Sequence, residues 1–279
     1  MLFSHRPGPR GRARRAGVFA LALCAVACAD PVVDWTTSRS IAVDAAAGAM
    51  TIDAAGDVVP DSMVRLAAAV NLPRGPLCAG SLRLARAGGT LHAVWWAPRP
   101  DSGARLLAAR SDDRGATWSG AVPVDTLDRG TTGCRRAPPS VAADSASGYV
   151  HVSYGLQAPE GPGLFFAHSM DGGRSFHSPV PIVYGERLGW TSVAADGDLV
   201  GVGFEDPNSA TPRIGLALSR TMGHIFEHRL LPVSDDNGAA TRPTAAVRGR
   251  RIAIAWERHA DDHAPSPLVA RVLRAGVVP

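Results

Sequence analysis

Ser111-Asp112-Asp113-Arg114-Gly115-Ala116-Thr117-Trp118 decides the fold, because the chain of 279 residues returns to it. Ser169-Met170-Asp171-Gly172-Gly173-Arg174-Ser175-Phe176 repeats the pattern Ser-x-Asp-x-Gly-x-x-aromatic without a gap. Ser219-Arg220-Thr221-Met222-Gly223-His224-Ile225-Phe226 is a worn third copy, with Thr221 in place of the Asp. An Asp two residues ahead of a Gly predicts a tight turn. The carboxylate accepts backbone N–H groups and the Gly takes a positive φ. Trp118, Phe176 or Phe226 then tucks a ring under each turn.

The turns lie in phase with a longer repeat. Segments beginning at Ser81, Ser140, Ser192 and Thr244 superimpose, at intervals of 59, 52 and 52 residues. Each is followed by a turn and an alternating apolar run: Leu91 to Trp96, Val150 to Gly155, Val200 to Glu205 and Ile252 to Glu257. Alternation of this kind is the period-2 signature of a strand. Trp95, Tyr154, Phe204 and Trp256 share one place in those runs and read as packing between units. A third strand follows each run, at Leu106–Arg110, Leu164–His168, Ile214–Leu218 and Pro267–Val272, and the first three lead into the repeated turn.

Repetition at roughly this length points to four-stranded blades around a channel. The turn itself resembles the Asp-box of sialidase-like β-propellers. The resemblance implies an all-β propeller with four clear blades over residues 81 to 279. Its structural turn residues are Ser111, Asp113, Gly115, Trp118, Ser169, Asp171, Gly173 and Phe176. In that family the turn joins the third and fourth strands, away from the active site, so Asp113 and Asp171 are not expected to be catalytic. The last blade lacks a fourth strand, and an unpaired edge invites aggregation. Ser40 to Asp44 is the expected closing strand from the N-terminus. Met50 to Val70 is the expected shortened fifth blade, because Ile52 to Val58 echoes Val193 to Leu199.

Residues 1–28 read as an export signal. Arg6, Arg10, Arg12, Arg14 and Arg15 make a basic start, and Ala16 to Ala27 make an apolar run too short to span a bilayer, which needs ~20 residues. Ala25-Val26-Ala27-Cys28 resembles a bacterial lipobox, implying lipidation of Cys28 and an outer-membrane or periplasmic lipoprotein. The alternative is ordinary cleavage and release of a secreted domain. Removing this segment takes the formal charge from +4 to −1. A nucleic-acid partner is therefore not expected. Residues 29–279 form one domain with no evident linker. Cys78 and Cys134 then sit on loops leading into the first strands of adjacent blades, where an oxidising compartment favours a disulfide.

In sialidase-like propellers the binding face carries the loops leading into first strands and those leaving second strands. Arg74, Arg135, Arg136, Trp190 and Arg242 map to the former. Trp96, Glu205, Asp206, Glu257, Arg258 and His259 map to the latter. Sialidases hold the carboxylate of sialic acid with three arginines, and Arg forks suit that task. The resemblance thus implies Arg136 and Arg242 as gripping residues. Glu205, Glu257 and Asp206 are the acid–base candidates. The family's nucleophile is a Tyr, and here only Tyr184, with Glu186, lies on a suitable loop.

The chain departs from the family by lacking a Phe/Tyr-Arg-Ile-Pro motif. Repeated Arg and Glu at equivalent places are also what structural ion pairs look like. Glu257 to His263 holds two His and three acids, yet its spacing matches no metal loop, so no metal and no cofactor is expected. Two functions follow: a glycan-directed exo-glycosidase of sialidase type, or a non-catalytic propeller that binds glycans or an envelope protein.

Overall fold

The computed structural model describes residues 33–37, 39–41, 50–52, 58–60, 73, 75–235, 238–259 and 267–275. Residues 1–28, expected to be an export signal with Cys28 at its end, lie outside the described residues, as do Arg74 and the 260–266 stretch. Among the described residues four short strands come first: β1 (Val33–Trp35), β2 (Arg39–Ile41), β3 (Met50–Ile52) and β4 (Val58–Pro60). Sheet 1 contains β5 (Arg83–Ala87), β6 (Thr90–Pro98), β7 (Ala104–Ser111) and β8 (Val122–Pro123). Sheet 2 contains β9 (Ser140–Ala143), β10 (Val150–Ala158), β11 (Gly161–Ser169) and β12 (Val180–Tyr184). Sheet 3 contains β13 (Thr191–Asp196), β14 (Leu199–Glu205), β15 (Ile214–Ser219) and β16 (His228–Pro232). Sheet 4 is built on β17 (Ala239–Arg248), β18 (Arg251–His259) and β19 (Leu268–Ala275). All pairings are antiparallel, and those among β5 to β19 follow chain order within each sheet.

The N-terminal segment completes sheet 4. β1 pairs one end of β19, with Trp35 opposite Leu273, and β2 pairs the other, with Ile41 opposite Leu268. The fourth strand therefore starts at Val33, earlier than the expected Ser40, because all of β19 would otherwise present an unpaired edge. Residues 42–44 lie outside the described residues. The expected fifth blade is represented by a hairpin, β3 with β4, in which Ile52 pairs Val58. Packing on the scale seen between sequential sheets does not join sheet 4 to sheet 1 among the described residues.

Neighbouring sheets meet through their first strands: β5 on β9, β9 on β13 and β13 on β17. The serines that open the repeated segments are part of this seam. Ser140 Oγ accepts the Val193 N–H at 3.0 Å, and Ser192 Oγ accepts the Ala245 N–H at 2.9 Å. The second strands β6, β10 and β14 are buried on both faces, which is why β6 and β14 read as nearly continuous apolar runs, whereas β18 alternates buried and half-buried residues. In β14 the large residues Val200, Val202 and Phe204 face sheet 2 and the glycines face sheet 4. A Cβ on Gly201 would lie 3.0 Å from Ile252 Cδ1, so the absent side chain is what lets sheet 4 approach.

The shared aromatic position now has a physical role. Tyr154 packs in the core between sheets 1 and 2, Phe204 between sheets 2 and 3, and Trp256 between sheets 3 and 4. Trp95 holds the same place in sheet 1 and packs with Ala93, Ala97 and Ala109 on the face turned away from sheet 2. All four are buried.

Candidate functional site

At one end of the sheets lie the repeated turns. Asp113 Oδ1 accepts the Ser111 hydroxyl at 2.7 Å and the Thr117 N–H at 2.8 Å, while Oδ2 accepts the Thr117 hydroxyl at 2.6 Å. Asp171 is held in the same way by Ser169, Ser175 and the Arg174 N–H. Hydrogen bonds from the Thr117 hydroxyl, then its N–H, hold the Asp113 carboxyl at about 2. Asp171 is also held at about 2. Burial there acts upward and is outweighed by the Ser175 and Ser169 hydroxyls and the local N–H groups. Such carboxylates are fixed acceptors and cannot deliver a proton near neutrality. In the third copy Thr221 Oγ1 takes over one bond, from the Ile225 N–H at 2.9 Å.

The second and third turns also grip the preceding sheet. The carbonyl of Gly172 accepts Arg110 Nη1 at 3.3 Å, and Gly173 abuts His92. Gly223 lies against Phe166 and His151. Here the sequence reading missed a cluster of rings. His168 stacks on His177 at 4.9 Å and meets His224 edge-on at 4.7 Å, with Tyr149 and His151 beside it. Tyr149 Oη hydrogen-bonds His224 Nε2 at 3.2 Å. Burial holds His151 and His168 down at about 4. No metal-holding group of His, Cys, Asp or Glu occurs among the described residues.

At the opposite end, Cys78 and Cys134 form a disulfide that staples the loop before β9 to sheet 1. Within that loop Asp128 and Arg136 make a buried ion pair at 2.6 Å. Arg136 Nε also donates to the Gly133 carbonyl, and its guanidinium lies 4.5 Å over the Trp96 ring. Arg136 thus spends its donors on its own loop. Trp96 is fully buried, with Nε1 donating to the Ala137 carbonyl.

Glu205, Arg242 and Glu257 do come together. Glu205 Oε1 accepts the Arg242 N–H at 2.8 Å, and Oε2 accepts the Trp190 N–H at 3.2 Å. A Cβ on Gly189 would run into that same carboxylate. Arg242 sits on a bulge in β17 with φ +53°. Its Nη1 reaches Glu257 at 3.3 Å, and His259 Nε2 lies 3.8 Å from Glu257. Arg242 lies 5.6 Å over the Trp190 ring, and Arg83 of sheet 1 lies 5.9 Å from it. Three sheets therefore converge on one exposed indole.

Asp206 stands apart, accepting the Asn208 N–H and the Ser209 hydroxyl in its own turn. Arg258 pairs with Asp235. Tyr184 ends the outermost strand of sheet 2 and packs edge-on to Phe165. Glu186 instead lines a cavity of about 200 Å³ with Arg135, Arg136, Gln157 and Leu188. Arg83 was missed by the sequence reading. Its signal was a departure from the repeat, since the aligned segments carry Ala142, Ala194 and Ala246 there.

No protein-family model and no curated protein matches this chain. Among solved structures it is similar to a protein of unknown function from Dyadobacter fermentans, at 16% identity over 67% of this chain and 51% of that one, with a TM-score of 0.50. It is also similar to a Hadza microbial sialidase, at 17% identity over 64% of this chain and 42% of that one, with a TM-score of 0.45. A sialidase variant from Trypanosoma rangeli that displays trans-sialidase activity matches at 15% identity over 64% and 34%, with a TM-score of 0.46. The chain spans about half, or less, of the length of these structures. The first likeness is one of fold.

Proposed function

We propose that this protein is an exported, sialidase-like propeller that recognises glycans through the face carrying Trp190, and that this face binds rather than cleaves. The observation that carries the reading is the half-exposed Trp190 indole flanked by Arg83 and Arg242 from two other sheets. An indole face offers a stacking surface for a sugar ring, and the adjacent guanidinium forks suit hydroxyls and carboxylates. The proposal extends to cleavage between Ala27 and Cys28 and a lipid on Cys28, which would hold the binding face at the cell envelope.

Binding is favoured over hydrolysis by what the carboxylates do. A glycosidase of the usual kind needs an acid and a second carboxylate free to reach the sugar. Glu205 accepts two backbone N–H groups, and Asp206 is committed to its own turn. One arrangement supports the second reading, an exo-glycosidase of sialidase type: Glu257 is partly exposed beside Arg242 and His259. A glycan array together with a panel of fluorogenic glycosides, a sialoside included, separates the two. Binding without turnover supports recognition. Turnover abolished by Glu257→Gln and by Arg242→Ala, with folding intact, establishes the glycosidase and overturns the binding-only reading.

A further inference from the structure

A second site, whose lining does not include Trp190, lies between the loop that precedes β9 and the loop that precedes β13. The cavity there is about 200 Å³ and is lined by Thr132, Arg135, Gln157, Glu186 and Leu188, with Arg136 behind them. At ~30 Å³ per water in the liquid, that is space for a small molecule and not for a polymer.

The two walls are unusually well fixed. On one, the Cys78–Cys134 disulfide and the Arg136–Asp128 ion pair bracket Arg135 on either side. Asp128 also accepts the Gly130 and Gln157 N–H groups, tying the loop to β10. On the other, Gly185 N–H donates to the Pro162 carbonyl, Arg187 donates to the Ser209 and Ala210 carbonyls, and Trp190 N–H is held by Glu205. Leu188 forms an apolar floor, made possible because Gly155 lacks the Cβ that would stand 3.2 Å from it.

Each rigid wall presents one exposed charge that makes no ion pair and no side-chain hydrogen bond among the described residues: Arg135 and Glu186. They do not pair with one another across the cavity. A ligand with a single charge would satisfy one wall and leave the other opposed to it, which selects against such ligands. A ligand with both charges satisfies both. We infer that this cavity is a binding site for a small zwitterion of the free α-amino-acid class, its carboxylate on the Arg135 fork and its ammonium on the Glu186 carboxylate. Gln157 and Thr132 supply further hydrogen-bonding groups around it. Because both loops are held by bonds that do not involve the ligand, binding need not order them first.

Calorimetric titration of the purified protein with glycine, alanine, serine, glutamate and lysine tests this, beside N-acetylalanine and alanine amide as singly charged controls. Saturable binding of at least one free amino acid is expected, with both blocked forms weaker by about tenfold or more. Arg135→Ala and Glu186→Gln should each abolish it while leaving the melting temperature unchanged, since both residues are exposed. Trp190→Ala should leave it intact, which separates this site from the glycan reading. No binding across the panel overturns the inference. So does N-acetylalanine binding as tightly as alanine, or binding that survives both substitutions.

Discussion

The two ends of the sheets satisfy their carboxylates in opposite ways. At the turn end, Asp113 and Asp171 are held entirely within eight residues of chain. At the loop end, Glu205 leaves sheet 3 and is held by the Trp190 N–H on one side and the Arg242 N–H of sheet 4 on the other, 37 residues away. A local device repeats as a pattern of letters. A long-range device does not, because each of its parts is common by itself. The turn end is thus built for repetition and the loop end for individuality, and the latter is where recognition belongs.

That contrast can be pressed hardest with acid. His92, His151 and His168 are kept neutral at the turn end, each at about 4 against an ordinary 6.5, chiefly by burial. Because the unfolded chain takes up these protons first, their contribution is complete above pH 6.5 and is lost as the pH falls towards 4. Denaturant titrations from pH 7.5 to 4 should show stability falling across that window. His151→Leu should flatten the slope, since both its ring nitrogens are buried without a hydrogen-bond partner among the described residues. Asp113 and Asp171 add a separate loss only below about 3.8, as the pH approaches 2.

At the loop end, replacing Cys78 and Cys134 together by Ala should cost ~2–5 kcal/mol in reversible unfolding, because the bridge closes a separation of 56 residues. Gly189→Ala should cost ~1–3 kcal/mol by forcing Glu205 from its two N–H donors. Weakened glycan binding should accompany it, although residue 189 has no side chain to contribute. The smallest effects have opposite signs and return to the turns. Asp171→Ala should lose ~1 kcal/mol, whereas Thr221→Asp should gain up to ~1 kcal/mol by restoring the second carboxylate oxygen that Thr221 Oγ1 does not replace. Thermal melts of the two variants, run side by side, check both.

Much of the fold was legible for the reason the contrast gives. Ser-x-Asp-x-Gly marks a turn wherever it falls, and the aromatic column records the same packing problem solved once per sheet. The start of the strand that completes sheet 4 was misread because Val33 to Trp35 carries too few residues to alternate. At the loop end the sequence offered equivalence without direction. Arg136 and Arg242 look alike by position, yet one is buried on Asp128 and Trp96 while the other lies exposed beside Trp190. Arg135 and Arg136 are neighbours with opposite fates. Which of them faces inward depends on Asp128, a partner eight residues away that no motif announces.

The central claim is that the face around Trp190 is a recognition surface and not a structural one. Titration of Trp190→Ala against the strongest ligand from a glycan array, with melting temperature measured on the same sample, tests it most directly. The account predicts that binding falls by about tenfold or more while the melting temperature stays within a few degrees of the parent, since the indole is part-exposed and belongs to no buried core cluster. Undiminished binding, or a collapse in stability that accounts for the loss, would contradict it.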